Sequence, residues 1–248
     1  MDNNFNIPLE YLTDDEVAEL SKVVGRLEEV SKRDESQKDF MSFVKNVWPT
    51  FVEGSHHKIY AEKLQKVAEG KIKRLIVNMP PRHTKSEFAS YLFPSWLMGR
   101  KPDTKIIQAT HTAELAVGFG RKVKNLIDSD IYRDVFPDLA LASDAKASGR
   151  WSTSKGGEYY AVGVGGALAG RGADLCIIDD PVSEQDALSP TALDNIYEWY
   201  TSGPRQRLQP GGSIIIVMTR WSIRDLTAKV LAKQAEGGAD IGESFAIL

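Results

Sequence analysis

The chain has 248 residues, 42% of them hydrophobic and 26% charged, enough for one large α/β domain with a small appendage. A net charge of −3 excludes a surface coated with nucleic acid but leaves room for a local basic groove. The single cysteine, Cys176, excludes a disulfide framework and a cysteine zinc site, and no run approaches the ~18 apolar residues of a membrane span.

The first twelve residues are polar and acidic, with no apolar stretch of the secretory type, so a reducing cytosol is the expected compartment. Thr13 followed by Glu16 forms a capping-box pattern. Val17, Leu20, Val24, Leu27 and Val30 then recur at helical spacing, which predicts an amphipathic helix to about Lys32. A second helix is predicted over 37–47, ahead of Pro49, and a third over 57–69, closed by Gly70. Residues 1–70 therefore read as a helical appendage. From there the pattern changes to short apolar runs at 74–78, 105–109, 159–162, 175–178 and 213–218. Helical stretches at 85–98, 113–128 and 190–202 separate several of them. Buried strands alternating with helices predict a mainly parallel sheet covered on both faces, over 71–235. Such sheets bind ligands beyond the carboxyl ends of their strands. Residues 236–243 read as a loop rich in glycine and acid, and 244–248 as the start of a strand. That strand is either the first of a further domain or an edge strand of the same sheet.

Three segments at predicted strand ends carry chemistry. Met79-Pro-Pro-Arg-His-Thr-Lys85-Ser86 follows the first strand and opens a helix. The phosphate-loop rule G-x-x-x-x-G-K-[ST] is met at Lys85 and Ser86, while Met79 and Thr84 stand where its glycines belong. A strand, a tight turn and a helix opening on Lys-Ser would aim backbone amides and one cation at a phosphate. Ser86 would then be placed to hold Mg2+. Leu175-Cys-Ile-Ile-Asp179-Asp180 ends a second strand in two acids, the Walker B pattern: one to hold a magnesium shell, the next to orient water. Paired carboxylates there are costly without a cation between them. Ser213-Ile-Ile-Ile-Val-Met-Thr219-Arg220-Trp221 ends a third strand in a hydroxyl and an arginine, suited to sensing a γ-phosphate or simply to leaving a buried central strand.

Other features are weaker. Arg171 lies between Gly170 and Gly172, as an arginine finger or a solvated loop residue would. The glycines of 163–170 do not match G-x-G-x-x-G, since Leu168 stands at the third position, so a dinucleotide site is rejected. His56 and His57 lack metal-ligand spacing; His57 is expected to shape a base pocket or to cap the third helix. Lys71, Lys73, Arg121, Lys122, Lys124, Arg205 and Arg207 are candidates for nucleic-acid contact or ordinary surface charge.

Taken in order, His56-His57, the 78–87 segment, the 170–181 segment and Met218-Thr-Arg-Trp221 resemble the large terminase subunit of tailed bacteriophages, over roughly residues 45 to 235. The resemblance implies an ASCE/RecA-like P-loop ATPase that packages double-stranded DNA into a procapsid in the host cell cytoplasm. It implies a homo-oligomeric ring on the portal protein, fed by the small terminase subunit, with ATP and Mg2+ as ligands. It also implies a nuclease domain elsewhere, so that nuclease activity is not expected of these residues. Carried over by position, Lys85 and Ser86 contact phosphate and Mg2+, with Pro81, Arg82, His83, Thr84, Glu87 and His57 around the nucleotide. Asp179 becomes the magnesium acid, Asp180 or Glu184 the water-orienting acid, Arg171 a finger inserted into a neighbour, and Thr219-Arg220 the coupling motif. Two positions depart from the family pattern: Thr84 often is glycine, and the second acid commonly is glutamate. A β-branched residue at 84 is expected to require a negative φ. The competing readings are a helicase-type ATPase, which needs a second such domain, and a portal-docking module that binds nucleotide without hydrolysing it.

Overall fold

A computed structural model describes residues 12–236 and 246–248. It has the expected α/β class: a seven-stranded sheet flanked by helices, with a helical N-terminal appendage. In chain order the strands are β1 (Arg74–Asn78), β2 (Lys105–Thr110), β3 (Arg150–Ser152), β4 (Glu158–Gly163), β5 (Ala173–Asp179), β6 (Leu208–Met218) and β7 (Ala246–Ile247). They lie side by side as β3-β4-β2-β5-β6-β1-β7. Every pairing is parallel except β3 with β4. Leu75 sits opposite Ile215 and Ile177 opposite Ile215, so β6 lies between β1 and β5 with all three in step. Their carboxyl ends, and the segments that follow, therefore emerge together.

The strands are apolar throughout because both faces are covered, and alternate side chains serve different cores. Leu75, Val77, Leu175, Ile177, Ile215 and Val217 point into one core, with α2 (Phe40–Val47), α3 (Ser55–Ala68) and α5 (Ala113–Ile127). Ile76, Cys176, Ile178, Ile214, Ile216 and Met218 point into the other, beneath α7 (Pro190–Ser202) and α8 (Leu226–Ala235). Each such side chain, fully buried, stabilises the fold by ~1.5–3 kcal/mol. Burial also pushes the Cys176 thiol up to about 12, so it is packing rather than a nucleophile.

The appendage differs from the expectation in one respect. Its first helix, α1, runs from Asp14 to Lys38, and the capping box is present, with Thr13 and Glu16 satisfying each other's amides. Yet Val17, Leu20, Val24, Leu27 and Val30, the stripe that makes it amphipathic, are all exposed, and the buried residue of α1 is Ser36. The helix is held from its carboxyl end: the Trp96 indole donates to the Ser36 carbonyl and Gln37 donates to the Val135 carbonyl. Gly70 closes α3 with φ 75°, as its sequence position foretold. The sequence did not announce β3, the short helix α6 (Asp130–Val135) or α8. The terminal pair Ala246–Ile247 joins β1 as an edge strand of the main sheet, one of the two readings open for 244–248. The linker read at 236–243 lies, except for Glu236, outside the described residues.

Candidate functional site

The site is built where β1, β6 and β5 end. After β1 the chain turns through 79–84 and enters helix at Lys85. Two non-glycine residues of this turn have positive φ: Arg82 at 63° and Thr84 at 59°. The expected negative φ at Thr84 is therefore overturned; the loop takes the left-handed geometry that its missing glycine would have supplied. For a β-branched residue this is a true outlier, costing on the order of 1–3 kcal/mol, and it persists only where neighbours hold it. Here the neighbour is His57, whose Nε2 lies 2.6 Å from Thr84 Oγ1. Thr84 Oγ1 in turn donates to the His83 carbonyl at 2.6 Å.

His57 itself is fixed from behind. The Gly54 amide donates to its Nδ1 at 2.8 Å, so His57 caps α3 and does so with an unprotonated Nδ1. The neutral ring then carries its proton on Nε2 and is the donor to Thr84. Burial, with His56 next to it, holds the His57 pKa below its ordinary value and favours this neutral form. Phe88 stacks on the ring at 5.3 Å. Of the two expected roles for His57, the cap is seen directly in this contact with the Gly54 amide.

Beyond Lys85 the helix widens into a π-helical turn, Glu87–Leu92, before α4 (Phe93–Arg100). Pro94 has no amide to give the Ser90 carbonyl, which loosens the ladder at this turn. The turn brings Ser90 beneath the end of β5, where its hydroxyl donates to Asp179 Oδ2 at 2.7 Å. Ser86 donates to Asp179 Oδ1 at 3.0 Å, and the Gln108 amide supports Ser90 at 3.1 Å. Asp179 is 1% exposed. Burial drives its carboxyl up to about 7, against the two serine hydrogen bonds that favour the charged form. A cation beside this carboxyl would favour its charged form at neutral pH. Ser90 and Gln108 escaped the sequence reading. Ser90 falls four residues after Ser86 and so on the same helix face, a spacing that signals it once Ser86 is suspected.

Asp180, the next residue, also has positive φ, 41°. Its Oδ2 pairs with Lys85 Nζ at 2.9 Å, and its Oδ1 accepts from the Thr219 amide at 2.7 Å. The Thr219 hydroxyl reaches back to the Met79 carbonyl at 3.4 Å, tying the exit of β6 to the exit of β1. Lys85, Ser86, Asp179, Asp180 and Thr219 thus form one bonded group drawn from three distant parts of the chain.

The remaining expected residues stand apart. Glu184 is exposed on the loop after β5, and Asp180, not Glu184, is the acid on Lys85. Glu87 is held by Lys122 of α5 at 2.6 Å. Arg220 pairs with Asp225, the buried N-cap of α8, at 2.7 Å. Arg171 stacks on Tyr160 of β4, its guanidinium 4.0 Å from the ring centre. Pro81, Arg82 and His83 line the exposed outer rim of the loop. Among the basic residues singled out for nucleic acid, Lys71 pairs with Glu69, Lys73 donates to the Gly211 carbonyl and Lys124 to the Lys146 carbonyl.

No family model and no curated protein matches the chain. Among solved structures it is similar to the large terminase of bacteriophage HK97, with 12% identity over 81% of this chain and a TM-score of 0.49. The likeness covers 41% of that chain, so the present sequence spans less than half of its length. At that score the likeness is one of outline and carries no functional weight. No described helix is long and apolar enough to cross a membrane.

Proposed function

We propose that the chain is a magnesium-dependent ATPase, the motor domain of a DNA-packaging terminase, whose family motifs its sequence resembles in order. The observation that carries this is the bonded group itself. A lysine and a serine opening one helix meet two successive acids and a threonine amide at the ends of three adjacent strands.

The residues fit the ligands. Ser86 and Asp179 offer hard oxygen donors, and the raised carboxyl of Asp179 marks a place where a divalent cation relieves a buried charge. Among the described residues no three His, Cys, Asp or Glu side chains gather to hold a metal by themselves. Mg2+ suits such a site, since it commonly takes one or two protein oxygens and completes its shell with phosphate and water. When bound, it neutralises charge on the phosphate oxygens.

The protein's part is positioning. Lys85, turned from Asp180 to phosphate, supplies a buried cation to the transferring group. That turn frees Asp180 Oδ2 to accept a hydrogen bond from the attacking water, while Oδ1 stays on the Thr219 amide. Thr219 is followed by Arg220, whose partner Asp225 caps α8, so the state of Asp180 is linked by contact to a surface helix. In this reading Arg171 leaves Tyr160 to enter a neighbour's site within a ring, and ATP turnover moves double-stranded DNA through a portal in the host cytoplasm. The small terminase subunit delivers the DNA.

The test is ATP turnover against protein concentration in the presence of Mg2+. Turnover per subunit that rises with concentration, and that Lys85→Ala removes, supports the reading. Turnover unaffected by Lys85→Ala sinks the site; turnover constant per subunit on dilution removes the trans role of Arg171.

A further inference from the structure

We infer that His57 is the positioning residue of the phosphate loop, and that its hydrogen bond to Thr84 does the work of the missing glycine. The inference rests on the reading of 79–86 as a nucleotide-binding loop. A glycine at this place adopts the left-handed geometry without strain. Threonine does so only under restraint, and here it brings its own handle, a hydroxyl that glycine lacks. That hydroxyl is gripped from both sides, by His57 Nε2 and by the His83 carbonyl, each at 2.6 Å. The grip is rigid because His57 is 6% exposed, stacked on Phe88 and anchored through Nδ1 to the Gly54 amide. Thr84 lies next to Lys85, and its carbonyl accepts from the Phe88 amide, so the torsion of Thr84 sets where the helix starts and where Lys85 and Ser86 point. The third helix of the appendage, α3, is thereby a structural part of the site: it holds the shape of the loop without touching the phosphates.

The arrangement predicts a specific pattern of suppression. His57→Asn keeps an acceptor near Nδ1 for the Gly54 amide and so preserves the cap, yet is too short to reach Thr84. Thr84→Val keeps the β-branch and removes the handle. Each is expected to weaken binding of Mg-ADP, measured by titration calorimetry, by about tenfold, a factor equal to ~1.4 kcal/mol. In a Thr84→Gly background the same His57→Asn change is expected to alter affinity less than twofold, because nothing is left to restrain. Equal losses from His57→Asn in both backgrounds would make His57 an ordinary packing residue and overturn the inference. A second readout needs no nucleotide. Amide hydrogen exchange over 82–87 in the full chain is expected to quicken at least tenfold in His57→Asn and in Thr84→Val. Unchanged exchange overturns the clamp whatever the affinities. If exchange quickens but the unaltered chain binds no nucleotide, the clamp stands and the nucleotide reading falls.

Discussion

At the carboxyl ends of β1 and β5 the chain bends through Arg82, Thr84 and Asp180, with φ of 63°, 59° and 41°. At the amino ends it bends through Gly70, ahead of β1, and Gly211, early in β6, with φ of 75° and 80°. The backbone geometry is similar and the residues are opposite in kind. At the amino ends the bend is all that is needed, and glycine takes it at no steric cost. At the carboxyl ends of β1 and β5 the bend must also present a side chain, so strain is accepted and then held by particular bonds: His57 on Thr84, and Lys85 with the Thr219 amide on Asp180. Buried charge is divided in the same way. Asp179 and Lys85 are buried at the carboxyl ends, whereas Lys105 and Glu158 at the amino ends of β2 and β4 form an open surface pair. One edge of the sheet is built for stability and the other for chemistry, and substitutions at the two should fail differently.

The largest effect on activity is expected for Lys85→Ala. It should lower ATP turnover at least a hundredfold, worth ~2.7 kcal/mol of transition-state stabilisation. The melting temperature should hardly move, because the partner Asp180 is about one-third exposed and can be solvated. A fold lost together with the activity would break the contrast between the edges.

Asp179→Asn comes next and has the opposite sign on stability. The folded carboxyl lies near 7 and the unfolded one near 3.8, so between those values the folded state binds more protons. Its contribution is complete below about pH 4 and is lost as pH rises through about 7, by roughly 4 kcal/mol. Without nucleotide or metal, the unaltered protein should lose stability across that window relative to Asp179→Asn, read as melting temperature against pH. Parallel curves for the two proteins would mean that Asp179 is not the buried charge described. With Asn in place, magnesium-dependent turnover should disappear although the fold is firmer.

A smaller effect separates the two kinds of bend. Gly211→Ala places a Cβ in open space, with only Lys73 Nζ within 4 Å, so its penalty is torsional alone. About 1 kcal/mol is expected, a fall of ~2–4 °C in melting temperature for a chain of this size, with nucleotide affinity unchanged. Affinity that fell with stability would show that the amino edge is coupled to the site.

The same division decided what the sequence made legible. The central strands were readable because strands buried on both faces are runs of Ile, Val and Leu, and the acids and the Lys-Ser pair stood where such runs stopped. β3 is too short to form a pattern, whereas α8 does carry a local signal, a cap at Asp225 and an apolar face of Leu226 and Val230. By local pattern the loop is marked only by its absent glycines, Met79 and Thr84 standing in their places. What replaces them is a histidine 27 positions upstream, on another element, and no local rule connects the two. Ser90 was hidden for a related reason, since its reach to Asp179 depends on a π-helical turn that propensity does not announce. Position alone puts Glu87 beside the nucleotide and Arg220 in a coupling motif; it does not reveal that Lys122 pairs with the first and Asp225 with the second. The type of chemistry was written in residues at strand ends, and its support was written in tertiary contacts.

The smallest expected effect falls in α1, where pattern and burial part company. Leu27 has the spacing of a core residue yet is 62% exposed, while Phe40 and Phe43, just beyond the end of the helix, are wholly buried against Phe88, Trp96 and Tyr132. An apolar side chain that is already in water loses nothing when it becomes polar. Leu27→Gln should therefore shift stability by no more than ~0.5 kcal/mol, whereas Phe43→Ala should cost ~3–5 kcal/mol. Chemical denaturation of the two variants, with the slope compared as well as the midpoint, reads both. If Leu27→Gln lowered the midpoint as Phe43→Ala does, the apolar stripe of α1 would have to be covered in solution, and the appendage would be part of a larger core.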